Sequence, residues 1–211
     1  MTLHTAKLVS ITPDAEELVA YCARVSNPAN QNNHETAPRL LKYLIKHRHW
    51  SPFEMANMVV EIKTNRGIAA QILRHRSFSF QEFSQRYAAV QSFPQTPKLR
   101  RQDAKNRQNS INDVDEDTKW YLEDEINELY THSVGLYEKM LEMGIAKECA
   151  REVLPIGSET TLYMNGTLRS WLHYIDLRAA PETQLEHRMI AESVKDLIEE
   201  HCPAIYEAMW S

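Results

Sequence analysis

The amino-acid sequence predicts an α+β fold, mainly helical, with a small central sheet that is antiparallel or mixed. Apolar residues recur at helical spacing through several long segments, most plainly between Asp115 and Met143. Two short segments centred on Val60 and Leu162 alternate with a period of two instead. Neither a repeat nor a linker-like stretch interrupts the 211 residues, so 1–211 reads as a single domain.

Leu8 to Ile11 reads as a first strand, and Thr12-Pro13 carries the cap-and-first-turn signature of a helix running to about Arg24. After a polar loop, Leu40, Leu41, Leu44 and Ile45 set out a second helix from Pro38 that ends before Ser51-Pro52. Met58, Val60 and Ile62 mark a strand with one more deeply buried face. Asn65-Arg66-Gly67 reads as a turn, and Ile68 to Leu73 as a short helix delivering Arg74-His75-Arg76 at its C-terminal end. Ser77 to Tyr87 keeps neither period and reads as irregular extended chain. Pro94 and Pro97 open a basic excursion through Lys98, Arg100, Arg101, Lys105 and Arg107.

The stripe Leu122, Ile126, Leu129, Val134, Tyr137 and Met140 then predicts the longest helix, closed by Gly144. Ala146 to Leu154 is a short helix stopped by Pro155; Thr160, Leu162 and Met164 alternate as a strand; Thr167 to Leu177 is helical. Pro181 opens a last long helix with Leu185, Met189, Val194, Leu197 and Ile198 as its stripe, ended by Pro203.

Composition excludes several classes of function. An apolar fraction of 43% fills a core, and Gly 5 with Pro 9 is too little for a linker-rich or disordered chain. No apolar run approaches the roughly 20 residues that span a bilayer, and no basic segment followed by an apolar one opens the chain. A cytoplasmic protein without a membrane partner is expected. Cys22, Cys149 and Cys202 are odd in number and widely separated, which argues for reduced thiols and against a disulfide framework or a CxxC site. A net charge of −5 disfavours general nucleic-acid affinity. His47 and His49 have no HExxH or matched Cys/His set beside them, so no metal is expected.

The densest chemistry lies between Arg74 and Tyr87, where Arg74, Arg76 and Arg86 accompany His75, Glu82, Ser77, Ser79 and Ser84. Such a set suits an anion, phosphate above all. Phe78, Phe80 and Phe83 are interleaved and should anchor the segment against something apolar. Helix continued through Arg76 would point Arg74 and Arg76 to nearly opposite sides, whereas extended chain would align Glu82, Ser84 and Arg86 on one face. A solvated charged turn is the plainer alternative. Ser84 has no adjacent base to make it a nucleophile, and Cys202 sits at a helix C-terminus, where a thiolate is disfavoured.

Arg74-His75-Arg76, seven residues and then Ser84, resembles the signature of flavin-dependent thymidylate synthases. Four further blocks in order are similar to family segments: Ala23 to Ser26, His49 to Glu54, Ala150 to Pro155, and Leu168-Arg169-Ser170 through Asp176-Leu177-Arg178. The resemblance spans nearly the whole chain and implies the fold of the thymidylate synthase-complementing protein type. It implies reductive methylation of dUMP to dTMP, with 5,10-methylenetetrahydrofolate as carbon donor and NADPH-reduced FAD as hydride source, and no cysteine nucleophile. A methylene carbon needs two electrons to become methyl, and a redox cofactor is the natural source.

By the same resemblance FAD meets Ser51, Arg74, His75, Arg76, Glu82, Thr167, Leu168, Arg169 and His173. The nucleotide meets Gln71, Ile72, Leu73 and Arg74, then Glu82, Phe83, Ser84, Gln85 and Arg86, and finally Arg151 and Arg178. Ser26, His49 and Glu54 are placed in the flavin and folate vicinity. The family implies a homotetramer with sites between subunits. Arg178 is the expected catalytic residue: a guanidinium against the uracil edge stabilises charge developing on N3 and O4, and being always protonated it polarises and does not act as a base. A helix-terminal cation is the alternative for Arg178, and a surface ion pair for Arg151. Gln81, Thr167 and His173 stand where some relatives carry Asn, preserving hydrogen-bonding ability. Glu182 stands where some relatives carry His and is left out of the FAD set.

Two competing readings use the same residues. The five cations of 98–107, with Phe93 as the nearby stacking group, could grip an oligonucleotide, but the acidic run from Asp113 to Glu128 favours a solvated excursion and no nucleic-acid partner. A metal-dependent nucleotide phosphohydrolase would also need arginines and carboxylates, and would be colourless and require a divalent ion.

Overall fold

The computed structural model describes residues 3–90 and 94–211, so the expected stacking group Phe93 lies outside the described residues. Strand β1 (Thr5–Ile11) is followed by helices α1 (Ala15–Ala23) and α2 (Ala37–Lys46), then strand β2 (Asn57–Asn65), helix α3 (Arg66–Ile72) and strand β3 (Ser79–Glu82). Two-residue strands β4 (Arg101–Gln102) and β5 (Ser110–Ile111) form a separate ladder before α4 (Glu116–Glu142) and α5 (Lys147–Ala150). Strand β6 (Glu159–Thr167) and helices α6 (Leu168–Arg178), α7 (Leu185–His201) and α8 (Pro203–Trp210) complete the chain.

The main sheet has the order β1-β2-β6-β3 and is antiparallel throughout, so the mixed alternative does not apply. Its alternation decides the buried face. Val60 pairs with Met164 and Ile62 with Leu162, all four fully buried, while the intervening Glu61 and Tyr163 point outward and hydrogen-bond to each other at 3.0 Å. Leu41 of α2, Trp171 and Ile175 of α6, and Ile190, Val194 and Ile198 of α7 belong to the same core.

Several boundaries differ from the sequence expectation, each for a local reason. Helix α1 starts at Ala15 and not at Pro13, because the Thr12 hydroxyl is engaged by the Asn57 backbone N–H at 2.9 Å and Asp14 takes a left-handed conformation at φ 48. The expected turn at Asn65-Arg66-Gly67 is a strand-to-helix junction: Asn65 caps α3 by accepting from the Ile68 N–H at 2.9 Å. Within the supposedly irregular 77–87 segment, Ser79–Glu82 pairs with β6, since that strand's backbone offers an edge. Helix α7 begins at Leu185, leaving Pro181 in the preceding turn. Its buried face is His187, Ile190, Ala191, Val194 and Ile198, with Leu185, Met189 and Leu197 only partly covered. Pro203 ends α7 but also opens α8, where its missing N–H costs nothing at the first helical position.

Helix α4 departs most. Gly144 closes it at φ 78 as expected. Yet within α4 only Val134 and Tyr137 are buried, and Trp120 (72% exposed), Leu129 and Leu136 face outward. An apolar stripe there does not report burial within this chain. Among the described residues, no helix is long and apolar enough to cross a membrane.

Candidate functional site

Helices α3 and α6 leave opposite ends of the β2–β6 pair, and the chain after α3 meets α6. Thr167 caps α6, its hydroxyl accepting from the Ser170 N–H at 3.2 Å, and the Ser170 hydroxyl donates to the Ser77 carbonyl at 3.3 Å. Phe78 packs on the bare backbone of Gly166 and edge-on to Trp171, with ring centroids 4.7 Å apart. These contacts pin Ser77 and Phe78 to the start of α6.

At the far end of α6, the Arg178 Nε–H donates to His75 Nε2 at 2.9 Å. Burial, and then the Arg178 charge, push His75 down from 6.5 to about 4, so the imidazole is neutral and accepts. Among the described residues the two terminal nitrogens of Arg178 have no hydrogen-bond partner. The guanidinium is therefore held by one nitrogen and offers its outer edge.

Beneath it lie Tyr174 and His187, linked from Nε2 to the hydroxyl at 3.1 Å, and His187 Nδ1 lies 3.4 Å from Gln71 Oε1. Burial pushes the Tyr174 phenol up, so it keeps its proton. Burial, then Arg178 and His75, push His187 down from 6.5 to about 3. Both histidines are neutral when folded but protonate near 6.5 when unfolded, so the stability they contribute is present above that pH and is lost as pH falls towards about 4 for His75 and about 3 for His187. Chemical denaturation from pH 7 to 4 should show this acid slope, and His187→Gln should flatten it. An unchanged slope in that variant would contradict the assignment.

Other expected residues divide into smaller groups. Glu82 accepts from the Thr160 hydroxyl at 3.0 Å and faces Arg66 Nη1 at 3.4 Å. Among the described residues, Arg66 Nη1 and Gln85 Nε2 are buried without a hydrogen-bond partner. The aligned row of Glu82, Ser84 and Arg86 does not form, because Ser84's carbonyl accepts from Tyr87 and Ala88 in a turn that buries Gln85. Arg86 instead meets Glu148 at 3.1 Å on α5, and Arg151 meets Glu152 at 3.4 Å, the surface-pair alternative for that arginine.

Helix α3 ends at Ile72, so Arg74 and Arg76 are not helical; both are exposed and without an ion pair among the described residues. Phe78 and Phe80 are anchored as expected, but Phe83 is 39% exposed, as is Leu73. Ile72 and Leu168 are fully buried, leaving only their backbone groups for a ligand.

A second group runs along α6, where Arg169 pairs with Glu54 and His173 lies edge-on to Trp50 with centroids 4.7 Å apart. Burial and then Arg169 lower His173 from its ordinary value. His49 contacts the rings of Tyr43 and His47, and Ser26 and Ser51 are exposed. Among the described residues no hydrogen bond joins Ser26, His49 or Ser51 to the Arg74–Arg76 segment, and no three metal-ligating side chains converge. In the basic excursion, Arg100 is bound to Glu186 and Arg101 to Asp113, so two of its cations are already paired.

Sequence reading missed Arg66, Gly166, Tyr174, Gln184 and His187. His187 had a signal, a polar residue at helical spacing with Ile190, Ala191 and Val194. Gly166 had one too, a lone glycine in an alternating strand, which often marks close approach of another group. Gln184 and Arg66 had none, since Gln71 lies 113 residues from Gln184 and Glu82 meets Arg66 only through the pairing of β3 with β6.

Comparison with known proteins places these features in a wider set. Residues 7–204 match the family model Thy1, described as thymidylate synthase complementing protein. The chain is 54% identical to a probable flavin-dependent thymidylate synthase of Paramecium bursaria Chlorella virus 1, covering 97% of this chain and 98% of the relative. It is 49% identical to a flavin-dependent thymidylate synthase of Synechocystis sp., covering 92% and 89%. A crystal structure of a UMP/dUMP methylase, PolB from Streptomyces cacaoi, bound with 5-Br dUMP, superposes with TM-score 0.85 at 27% identity, covering 97% of this chain and 93% of that one.

Proposed function

The chain belongs to the flavin-dependent thymidylate synthase family, and on that premise we propose that it converts dUMP to dTMP, taking a carbon from 5,10-methylenetetrahydrofolate and electrons from NADPH through FAD. The observation that carries the reading to particular atoms is the Arg178 guanidinium, fixed through Nε by a neutral His75 with its outer edge free. A planar donor fork held in this way suits the N3 and O4 edge of a uracil, and its fixed charge stabilises negative charge developing there.

The residues present fit both ligands. Arg74 and Arg76 are exposed cations suited to phosphates, Arg76 directly preceding Ser77, whose carbonyl accepts from the Ser170 hydroxyl in the first turn of α6, and Arg169, His173 and Ser51 are further members of the proposed FAD set. Gln85 Nε2, buried without a partner among the described residues in the 84–88 turn, suits a nucleotide acceptor, and Glu82, Ser84, Arg86 and Arg151 lie on the same or adjoining segments. When bound, flavin supplies the two electrons that turn a methylene into a methyl group. Cys202 offers no competing route: it is fully buried, and burial followed by Glu16 and Glu17 pushes its thiol up to about 12. The outward apolar residues of α4 support assembly with further copies of the chain, as a homotetramer with sites between subunits. Three free thiols suit a cytoplasmic setting.

The purified protein is expected to be yellow, to change its flavin absorption bands when dUMP is added, and to form dTMP only when folate, flavin and reduced nicotinamide are all supplied. A colourless protein that takes up no added FAD, or dTMP formation without flavin, would refute the proposal.

A further inference from the structure

We propose that Arg100 and Glu186 are positioning residues for the nucleotide, acting through Gln184 to fix which way round the Gln71 amide is presented to dUMP. The inference rests on the reading that Gln71 contacts dUMP. It also gives the basic excursion at 98–107 a role that charge alone did not suggest.

The chain of contacts has a definite polarity. Arg100 grips Glu186 with both terminal nitrogens, Nη1 to Oε1 at 2.7 Å and Nη2 to Oε2 at 3.0 Å, and the two side chains are only 12% and 13% exposed. Burial raises the Glu186 pKa, but hydrogen bonds from Arg100, the backbone and Gln184, with the Arg100 charge, outweigh it and hold the carboxyl below its ordinary value. Glu186 is therefore ionised and can only accept. Gln184 must turn its Nε2 to Glu186 Oε2, at 2.9 Å, which turns its Oε1 towards Gln71. Gln71 must then donate from Nε2 to Gln184 Oε1, at 2.7 Å, which leaves Gln71 Oε1 facing His187 Nδ1 at 3.4 Å.

Neutral imidazole has one donor nitrogen and one acceptor. With Gln71 Oε1 opposite Nδ1, the proton of His187 belongs on Nδ1, and Nε2 accepts from the Tyr174 hydroxyl at 3.1 Å. Every amide and imidazole orientation follows from the carboxylate at the start of α7. Reversing the Gln71 amide would set its Oε1 against Gln184 Oε1, acceptor against acceptor, and would move the His187 proton to Nε2. A nucleotide approaching Gln71 thus meets one remaining N–H and one remaining carbonyl lone pair in a preset arrangement.

Glu186→Gln tests this with little change of volume. The neutral amide can donate as well as accept, so Gln184 and Gln71 lose their fixed sense. In the FAD-loaded full chain, the variant is expected to raise both the KM and the calorimetric Kd for dUMP by about tenfold, with kcat and flavin content within about twofold of wild type. Histidine 15N chemical shifts should show His187 protonated at Nδ1 in wild type and a mixture of tautomers in Glu186→Gln, a change that loss of a merely structural ion pair would not produce. Arg100→Lys keeps the charge but loses the fork, and should raise the dUMP KM by a smaller factor; it serves if Glu186→Gln does not fold. Wild-type dUMP affinity together with an unchanged His187 tautomer in the variants overturns this inference and leaves the functional reading intact. A wild-type protein that binds no dUMP overturns that reading, and this one with it.

Discussion

Arg178→Ala is expected to keep its flavin and lose thymidylate formation, with kcat falling by about 10²–10³ or more, the usual consequence of removing a preorganised charge stabiliser. The geometry adds a second signature. Arg178 is a cause of the lowered pKa at both His75 and His187, second to burial in each case, so its removal should let both rise part of the way back towards 6.5. Histidine NMR titration of the variant would detect the shift independently of turnover. Arg178→Lys is the informative companion, because it restores the charge without the Nε that donates to His75 at 2.9 Å or the planar edge. It should recover little activity. Full turnover in Arg178→Ala would remove the role assigned to this residue.

Gly166→Ala carries the largest expected effect on stability. A Cβ there would stand 2.4 Å from Phe78 Cδ1 and 2.5 Å from Cε1, ring atoms that cannot step aside as the tip of a flexible chain could. Phe78 is hemmed in by Trp171 at 4.7 Å and Tyr174 at 6.0 Å between centroids, so its ring and the backbone before it must move. Overpacking of this kind costs about 1–3 kcal/mol. Because Ser77 and Arg76 immediately precede Phe78, weaker FAD binding should accompany the lower melting temperature. Phe78→Leu in the Gly166→Ala background should restore part of both, giving a non-additive double-mutant cycle. Wild-type melting temperature and flavin content in Gly166→Ala would show that this contact does not hold the segment.

The two effects illustrate different kinds of legibility. Arg178 was legible through its resemblance block, and local chemistry said what a guanidinium can do there. Its partner was not, since His75 is 103 residues away and only the meeting of α3's exit with α6 joins them. Phe78 was legible as an anchor, whereas the glycine it rests on is 88 positions later and its use depends on the register of β3 against β6.

Local pattern was sufficient wherever one element settles the matter alone. The alternation of β2 and β6, the Gly144 stop of α4 and the short helix before Arg74 all follow from side-chain period, backbone freedom and caps, which act over a few residues. The outward apolar face of α4 shows where that rule ends: the stripe was read correctly as helix but not as core, because periodicity records which side is apolar and not what covers it. Only the tertiary structure decided the polarity running from Arg100 through Glu186, Gln184 and Gln71 to His187. An amide or imidazole has no preferred sense of its own, and takes one from partners that folding brings to it from three separate stretches of chain.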